Sequence, residues 1–594
     1  MEEKWVGVKN CADDPQHGSP GAPYKTIQYG VDQLASLGGG MLHVQSGRYA
    51  GGVRMEGARY SNIEIRGDVP APTAPPTAPG ADDTVAYCES RPVVDAKSQD
   101  TVFTIAKATN VWLTNLYIVN GSAPNVPSMG GGVYAHETQV SLDSCCFQGN
   151  VANCGGAFAF VDCTSGECVI DSCRVFDNQA RPGTAQTSNG GGGFLRRCRS
   201  IRIEDCDFRE NQAEGTAIGP GRGGALYAED CKSVYVVGKQ TRFLRNSAGE
   251  FGGAMFLGRP APQGQVVILD SLFSAGNKAA SGGAVAIVGD PRTPPPGGVS
   301  PVEDVYLWNN EIANNNADRY GGGVFIGYSM NVKLSNNRIR LQNEAHDGGG
   351  IYITANCDVT LDDGTEVSSN LAKEGYGGGA YAENSRLHAV GDTRFDFNQA
   401  KNGAGACFLV RQNPDTEQYL KKSGFTEASL TVNSAHFAMN FASADGGGLY
   451  CFVNVPLLLM ANAPKLNVEV NAVTTFTSNE AVTGGGFYAH SFDKLAFKTN
   501  RLIGNQAKKF GGGGYISGRS FPKELHIQDN VFTNNGTRGH GAGLSLFGCE
   551  LTLGEISGNT FLQSMGEGIY LETCLSPTDA EISAENNNAN VAHQ

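Results

Sequence analysis

Phe208-Arg209-Glu210-Asn211-Gln212-Ala213 is followed by Gly223-Gly224-Ala225-Leu226-Tyr227. One repeat later, Phe243-Leu244-Arg245-Asn246-Ser247-Ala248 is followed by Gly252-Gly253-Ala254-Met255-Phe256. The same order can be followed in both directions along the chain. Asn-x-Ala stands at Asn150, Asn178, Asn211, Asn246, Asn277, Asn315, Asn343, Asn370, Asn398, Asn440, Asn479 and Asn505, with degenerate versions at Asn535 and Asn559. Glycine runs end between Gly132 and Gly568, with spacings from 24 residues (Gly132 to Gly156) to 43 (Gly405 to Gly448). A repeat of this period is the signature of a solenoid.

The strands between these landmarks are short, β-branched or aromatic, and bounded by Gly, Asn, Asp and Ser. Helical repeats would need long segments with a 3.6-residue period. The pattern therefore predicts an all-β, right-handed parallel β-helix solenoid of about 18–20 coils, each coil one repeat of two or three strands. Ladders follow from such stacking. Aligned on the asparagine, Cys145, Cys173 and Cys206 share one column, and Phe147, Phe208 and Phe243 another. The asparagines themselves form an amide ladder. Aligned on the last glycine of each run, Cys163, Cys231 and Cys357 share a further column. These columns predict buried, mostly reduced thiols, with Cys163 and Cys168 as one pair able to form a disulfide across a turn. The cysteine spacing gives no zinc motif.

Before the repeats, Pro23 to Gln28 leads into Val31-Asp32-Gln33-Leu34, which predicts a short amphipathic helix that caps the solenoid. Strands are expected at Met41–Val44, Ile63–Ile65, Val102–Ile105 and Val111–Ile118. The organisation expected is a cap and first coils over 1–120 with a Pro-rich loop at 69–80, glycine-marked coils over 121–575, and a polar tail over 576–594.

Composition narrows the function. The chain has 594 residues, 45 basic against 59 acidic, and a net charge of −14. That argues against nucleic acid, whose phosphates need a basic surface. No apolar run is long enough for a transmembrane helix. The opening Met1-Glu2-Glu3-Lys4-Trp5 has no apolar stretch of a secretory signal, which fits synthesis in the cytosol or assembly into a particle; a trimmed signal would make the protein extracellular.

The opening segments, from Trp5-Val6 through Tyr24-Lys25-Thr26-Ile27-Gln28 to His43-Val44-Gln45-Ser46-Gly47-Arg48-Tyr49, resemble the start of pectate-lyase-like parallel β-helix proteins. The Phe-x-x-Asn plus Gly-Gly-Ala pattern at Phe208 to Ala225 and Phe243 to Ala254 resembles the polymorphic outer membrane protein repeat. The first resemblance implies a fold shared by polysaccharide lyases, glycosidases and adhesins. The second implies surface or adhesive roles.

For chemistry, the turns before three successive glycine runs bring together Asp318-Arg319-Tyr320, His346-Asp347, and Lys373-Glu374 with Tyr376. Arg319, His346 and Tyr376 are the candidate catalytic groups of a lyase, with Ca²⁺ as an optional cofactor. Arg319, Tyr320, His346, Asp347 and Lys373 are the candidate binding residues. Asp362-Asp363 is the nearest to a paired hydrolase carboxylate, His540 lies in an Arg-Gly-His-Gly stretch, and Asp82-Asp83 is a weak cation candidate. No other cofactor or resident metal is implied. Excursions at 259–264, 289–301, 411–428, 455–463 and 518–522 leave one edge of the coils, and the apolar run from Val455 to Met460 is expected either to cover the side of the rod or to mark a subunit contact. The reading that results is a non-enzymatic structural or adhesive rod of a surface or large particle. It would bind a protein or a glycan along its side, with homo-oligomers or larger complexes as further partners. A polysaccharide lyase or glycoside hydrolase is the alternative.

Overall fold

The computed structural model describes residues 2–68, 84–123, 128–183, 187–216, 219–290, 304–328, 330–455, 464–518, 524–549, 554–563, 566–574 and 591–593. The Pro-rich loop, Asp82-Asp83, the excursions at 291–301, 456–463 and 519–522, and most of the tail lie outside these residues. The chain folds as two compact units, residues 1–280 with 284–286 and residues 281–283 with 287–594. The division falls inside the glycine-marked region.

Each unit is a stack of coils joined by parallel ladders. In the first, one coil runs Val133–His136, Val140–Asp143, Cys146–Gln148 and Val151–Ala152. Its four strands pair in parallel with the next coil, for example Val133 with Phe158, Ser141 with Val169, Cys146 with Arg174 and Val151 with Gln179. We call the four resulting sheets faces 1 to 4 in that order. In the second unit, Val324–Gly327, Asn331–Ser335, Arg338–Arg340 and Glu344–Ala345 occupy the same four places. The fourth strand exceeds the two or three expected per repeat. It is the Asn-x-Ala tripeptide itself, too short to read as a strand, and its alanines fill the core, as Ala180, Ala213, Ala248 and Ala279 do.

The corners explain the composition. The first glycine of each run, not the last, holds the fixed place: Gly155, Gly190 and Gly223 lie at φ +69°, +67° and +65°. A Cβ on Gly155 would stand 2.1 Å from the Phe158 carbonyl oxygen. Aligning on this glycine places Cys198 between Cys163 and Cys231, and Cys357 one residue further along. Gly193, which ends its run, already belongs to a face 1 strand opposite Phe158.

The ladder asparagines are buried. Asn150, Asn178, Asn211 and Asn246 each donate from Nδ2 to the next Oδ1 at 2.9 to 3.1 Å. In the second unit the chain of bonds runs from Asn315 to Asn535. Asn559 does not belong to it. It joins Asn500 and Asn530 in a second ladder at the corner between faces 2 and 3. That is the corner where Cys145, Cys173 and Cys206 stand in the first unit, donating to the carbonyls of Leu113, Leu142 and Ile170. Burial pushes the Cys145 and Cys173 thiols well above their ordinary pKa, so both stay neutral. The phenylalanine column stacks as expected, with Phe208, Phe243 and Phe273 at 5.0 and 4.7 Å.

Three further expectations change. Cys163 and Cys168 are free thiols, and the disulfide is Cys88–Cys146. Cys88 lies in helix Thr84–Glu89 outside the repeats, so no column announces it. The strand expected over 111–118 splits into Val111–Thr114 and Tyr117–Val119, because Asn115 at φ +54° turns the chain between faces 2 and 3. The excursion at 411–428 contains a helix, Pro414–Ser423. The N-terminal helix spans Ile27–Ser36, N-capped by the Thr26 hydroxyl, which accepts from the Tyr29 N–H at 3.2 Å. It rests on Val6 and Leu42, whose side chains leave no room for a Cβ at Gly30.

Candidate functional site

The three turns singled out in sequence do stack. The Arg319 carbonyl accepts from the N–H groups of His346 and Asp347 at 3.1 Å, and Asp347 Oδ1 accepts from the Tyr376 N–H at 2.8 Å. Their side chains take different roles. Tyr320 stacks on Tyr352 at 4.6 Å, and Tyr376 packs 6.1 Å from Tyr381 and 6.2 Å from Tyr450. Both tyrosines thus roof the outward aromatics of face 1. Burial raises the Tyr376 phenol above its ordinary pKa, which keeps the proton on. Asp347 is buried, with His346 Nδ1 3.2 Å from its other oxygen. Lys373 pairs with Glu344, and Arg319 is exposed. Among the other candidates, Asp362 pairs with Lys333 at 2.9 Å and accepts from Ser335, while Asp363 is a turn residue at φ +48°. His540 stacks on Tyr570 at 4.5 Å and pairs with Glu567 at 3.3 Å. Among the described residues no group of three or more His, Cys, Asp or Glu is placed to hold a metal ion.

A different surface carries more of the features of a ligand site. The chain has only three tryptophans, and all three stand on outward positions of face 2. In the first unit Trp5 pairs with His43 and stacks on its ring at 4.6 Å. Trp112 is 39% exposed, between the buried Val111 and Leu113. In the second unit Trp308 is 44% exposed, two residues from the outward Tyr306. Alternation along a strand explains the placement, since Val111 and Leu113 around Trp112, and Leu307 before Trp308, point to the core.

Around Trp112 the surface sinks into a groove of about 310 Å³ lined by Glu64, Arg66, Asn62, Asn110, Thr114 and Asp143, among others. Its polar groups are held in place. Asn110 accepts from Trp112 Nε1 at 2.9 Å and donates to Asn62 at 3.0 Å. Glu64 Oε1 accepts from Arg66 at 2.6 Å and from Thr114 at 3.2 Å. The groove thus offers an aromatic plane flanked by fixed donors and acceptors.

Beyond Asp143 the same column continues with Asp171 and Glu204, in register on successive coils. Burial, reinforced by the nearby charges of Asp143, Glu204 and Asp205, raises the Asp171 pKa; a hydrogen bond from Ser172 opposes this. The sequence reading missed both the groove and this column. The column was within reach, because each of the three acids precedes an aligned cysteine, Cys145, Cys173 or Cys206, by two residues. Trp112 gave no such signal, because its coil lacks the asparagine and glycine landmarks.

No family model and no curated protein matches the chain. Among solved structures it is similar to PfbA, a surface adhesin of Streptococcus pneumoniae, with 11% sequence identity over 95% of this chain and 93% of that one and a TM-score of 0.20. A likeness at that level says nothing about the ligand.

Proposed function

We propose that this protein is an adhesive β-helix, a component of a surface or large particle, that binds a glycan on the outward side of face 2. The observation that carries the reading is the groove at Trp112. An apolar ring face beside convergent, pre-bonded polar groups suits the alternating C–H and hydroxyl faces of a sugar ring. The volume is at the lower end of the range for ligand sites, which fits a short stretch of an extended chain rather than an enclosed small molecule. The test is retention of the protein on immobilised neutral and acidic polysaccharides. Trp112→Ala should abolish retention while leaving the unfolding transition unchanged, because the ring is exposed. Unchanged retention by the variant would remove the groove from the account.

A second reading has its own observation. Asp143 and Asp171 are carboxylates on adjacent coils, and one of them has a raised pKa. A retaining glycosidase needs such a pair, with the protonated member as acid. New reducing ends released from a bound polysaccharide, and lost in Asp171→Asn, would favour hydrolysis over adhesion alone.

A further inference from the structure

One corner of the second unit carries residues that the fold itself does not ask for. The position just before each ladder asparagine turns the chain from face 3 to face 4 in the left-handed region. Neighbouring coils fill it with Ser369, Ser478, Gly504 and Asn534. Phe397 and Met439 hold it on two adjacent coils, at φ +56° and +53°. Bulky side chains are disfavoured there. Neither finds cover in return, since they are 53% and 52% exposed. The two coils are joined at this turn by the bond from the Phe397 N–H to the Ala438 carbonyl at 2.9 Å. Phe441, two residues past Met439, is 41% exposed, and Ile503, in the same row as Ala438 and Thr477, is 37% exposed. Four large apolar side chains therefore project from one corner.

The charges around them have one dominant sign. On faces 3 and 4 of these coils stand exposed Arg394, Lys401, Arg501, Lys508 and Lys509. The acids there are Asp396 and Asp445, whose pKa values are raised by burial, and Glu480. Lys508 Nζ lies 5.9 Å from the Phe441 ring centre and 3.9 Å from Glu480. The local excess is basic in a chain whose net charge is −14.

We propose that this corner docks the protein onto an anionic lipid surface. Apolar tips on a projecting edge, with long basic side chains around them, match a bilayer interface. The rings and the thioether enter the headgroup boundary, and the ammonium and guanidinium groups meet phosphate or carboxylate headgroups. An edge of this kind, rather than a groove, favours a flat partner over a peptide. The proposal is independent of the glycan reading, which concerns face 2.

The test is co-sedimentation of the full chain with vesicles of phosphatidylcholine alone and of phosphatidylcholine mixed with phosphatidylserine. Binding to the mixed vesicles is expected, weakening as salt is added. The double variant Phe397→Asn, Met439→Asn should bind at least about tenfold less, given the apolar area removed. Asparagine is at home in the left-handed region, so this variant keeps its fold, which an unchanged melting transition verifies. A second variant, Lys401→Gln with Lys508→Gln, should lose the preference for phosphatidylserine. Equal binding to both vesicles, or full binding by the asparagine variant, would overturn the proposal. So would self-association that the asparagine variant abolishes without any vesicle binding, which would assign the corner to a second copy of this chain.

Discussion

Asn398→Ala is the most direct probe of what holds the coils in register. The Asn398 amide donates to the Val367 carbonyl at 2.8 Å and to Asn440 Oδ1 at 3.1 Å. Its oxygen accepts from the Asn370 backbone N–H at 3.0 Å and from Asn370 Nδ2 at 3.2 Å. Alanine removes all four bonds. Asn370 Nδ2 keeps its bond to Ile339, and Asn440 Oδ1 keeps the Asn398 backbone N–H. The Asn370 N–H loses its partner inside a fully buried corner, while the Val367 carbonyl keeps its ladder bond to the next coil. At about 1–3 kcal/mol for the stranded N–H and about 1 kcal/mol net for the other lost bonds, the expected loss is about 2–4 kcal/mol. Gln399→Ala, at the next, outward and exposed position, is the control and should fall within about 0.5 kcal/mol of the parent. The assay is denaturant unfolding followed by circular dichroism, with amide exchange at Asn370 as a local readout that does not assume a single transition. If Asn398→Ala and Gln399→Ala behaved alike, the ladder would be a consequence of stacking and not a cause of it.

Other outcomes follow from particular contacts. The raised Asp171 pKa means that the folded state holds this proton more tightly than the unfolded chain, so ionisation opposes folding. The contribution is fully present below the ordinary carboxylate pKa of about 3.9 and is lost as pH rises through the higher folded value. Melting curves of the parent and of Asp171→Asn should therefore converge at low pH, with the variant the more stable at neutral pH; the reverse order would contradict this. Glu383 is fully buried and accepts from Tyr381, Thr354, Asn413 and Arg411. Arg411→Met should cost about 3–5 kcal/mol by stranding that carboxylate, and Glu383→Gln in the same background should recover part of the loss in thermal unfolding. Gly377→Ala should destabilise by more than about 1 kcal/mol, since φ is +66° and the new Cβ would meet the Ala380 carbonyl oxygen at 2.3 Å.

Most of the fold was legible because stacking copies each structural demand along the chain. The corner before face 1, where positive φ is combined with no room for a Cβ, shows as a glycine in every repeat, and a buried amide shows as an asparagine. What escaped was whatever had no copies. Cys88, its disulfide partner relation to Cys146, and Trp112 lie where landmarks are absent, so periodicity was silent about them. Degeneracy hid other features: Cys, Thr and Asn all satisfy the corner between faces 2 and 3, so Asn559 looked like a worn copy of the main ladder. The turn candidates failed to stand out for a physical reason as well. Tyr320 and Tyr376 are needed as cover for face 1, and a polar turn residue looks the same in sequence whether it binds ligand or water.

With its three tryptophans all on face 2, the chain carries its own reporter for the central claim. Intrinsic fluorescence should be titrated with a panel of neutral and acidic oligosaccharides, alongside calorimetry on the same samples. The account predicts a saturable change in tryptophan emission for at least one glycan, lost together with the binding heat in Trp112→Ala. Binding heat with no change in emission, or a response that survives in Trp112→Ala, would place the ligand elsewhere and contradict it.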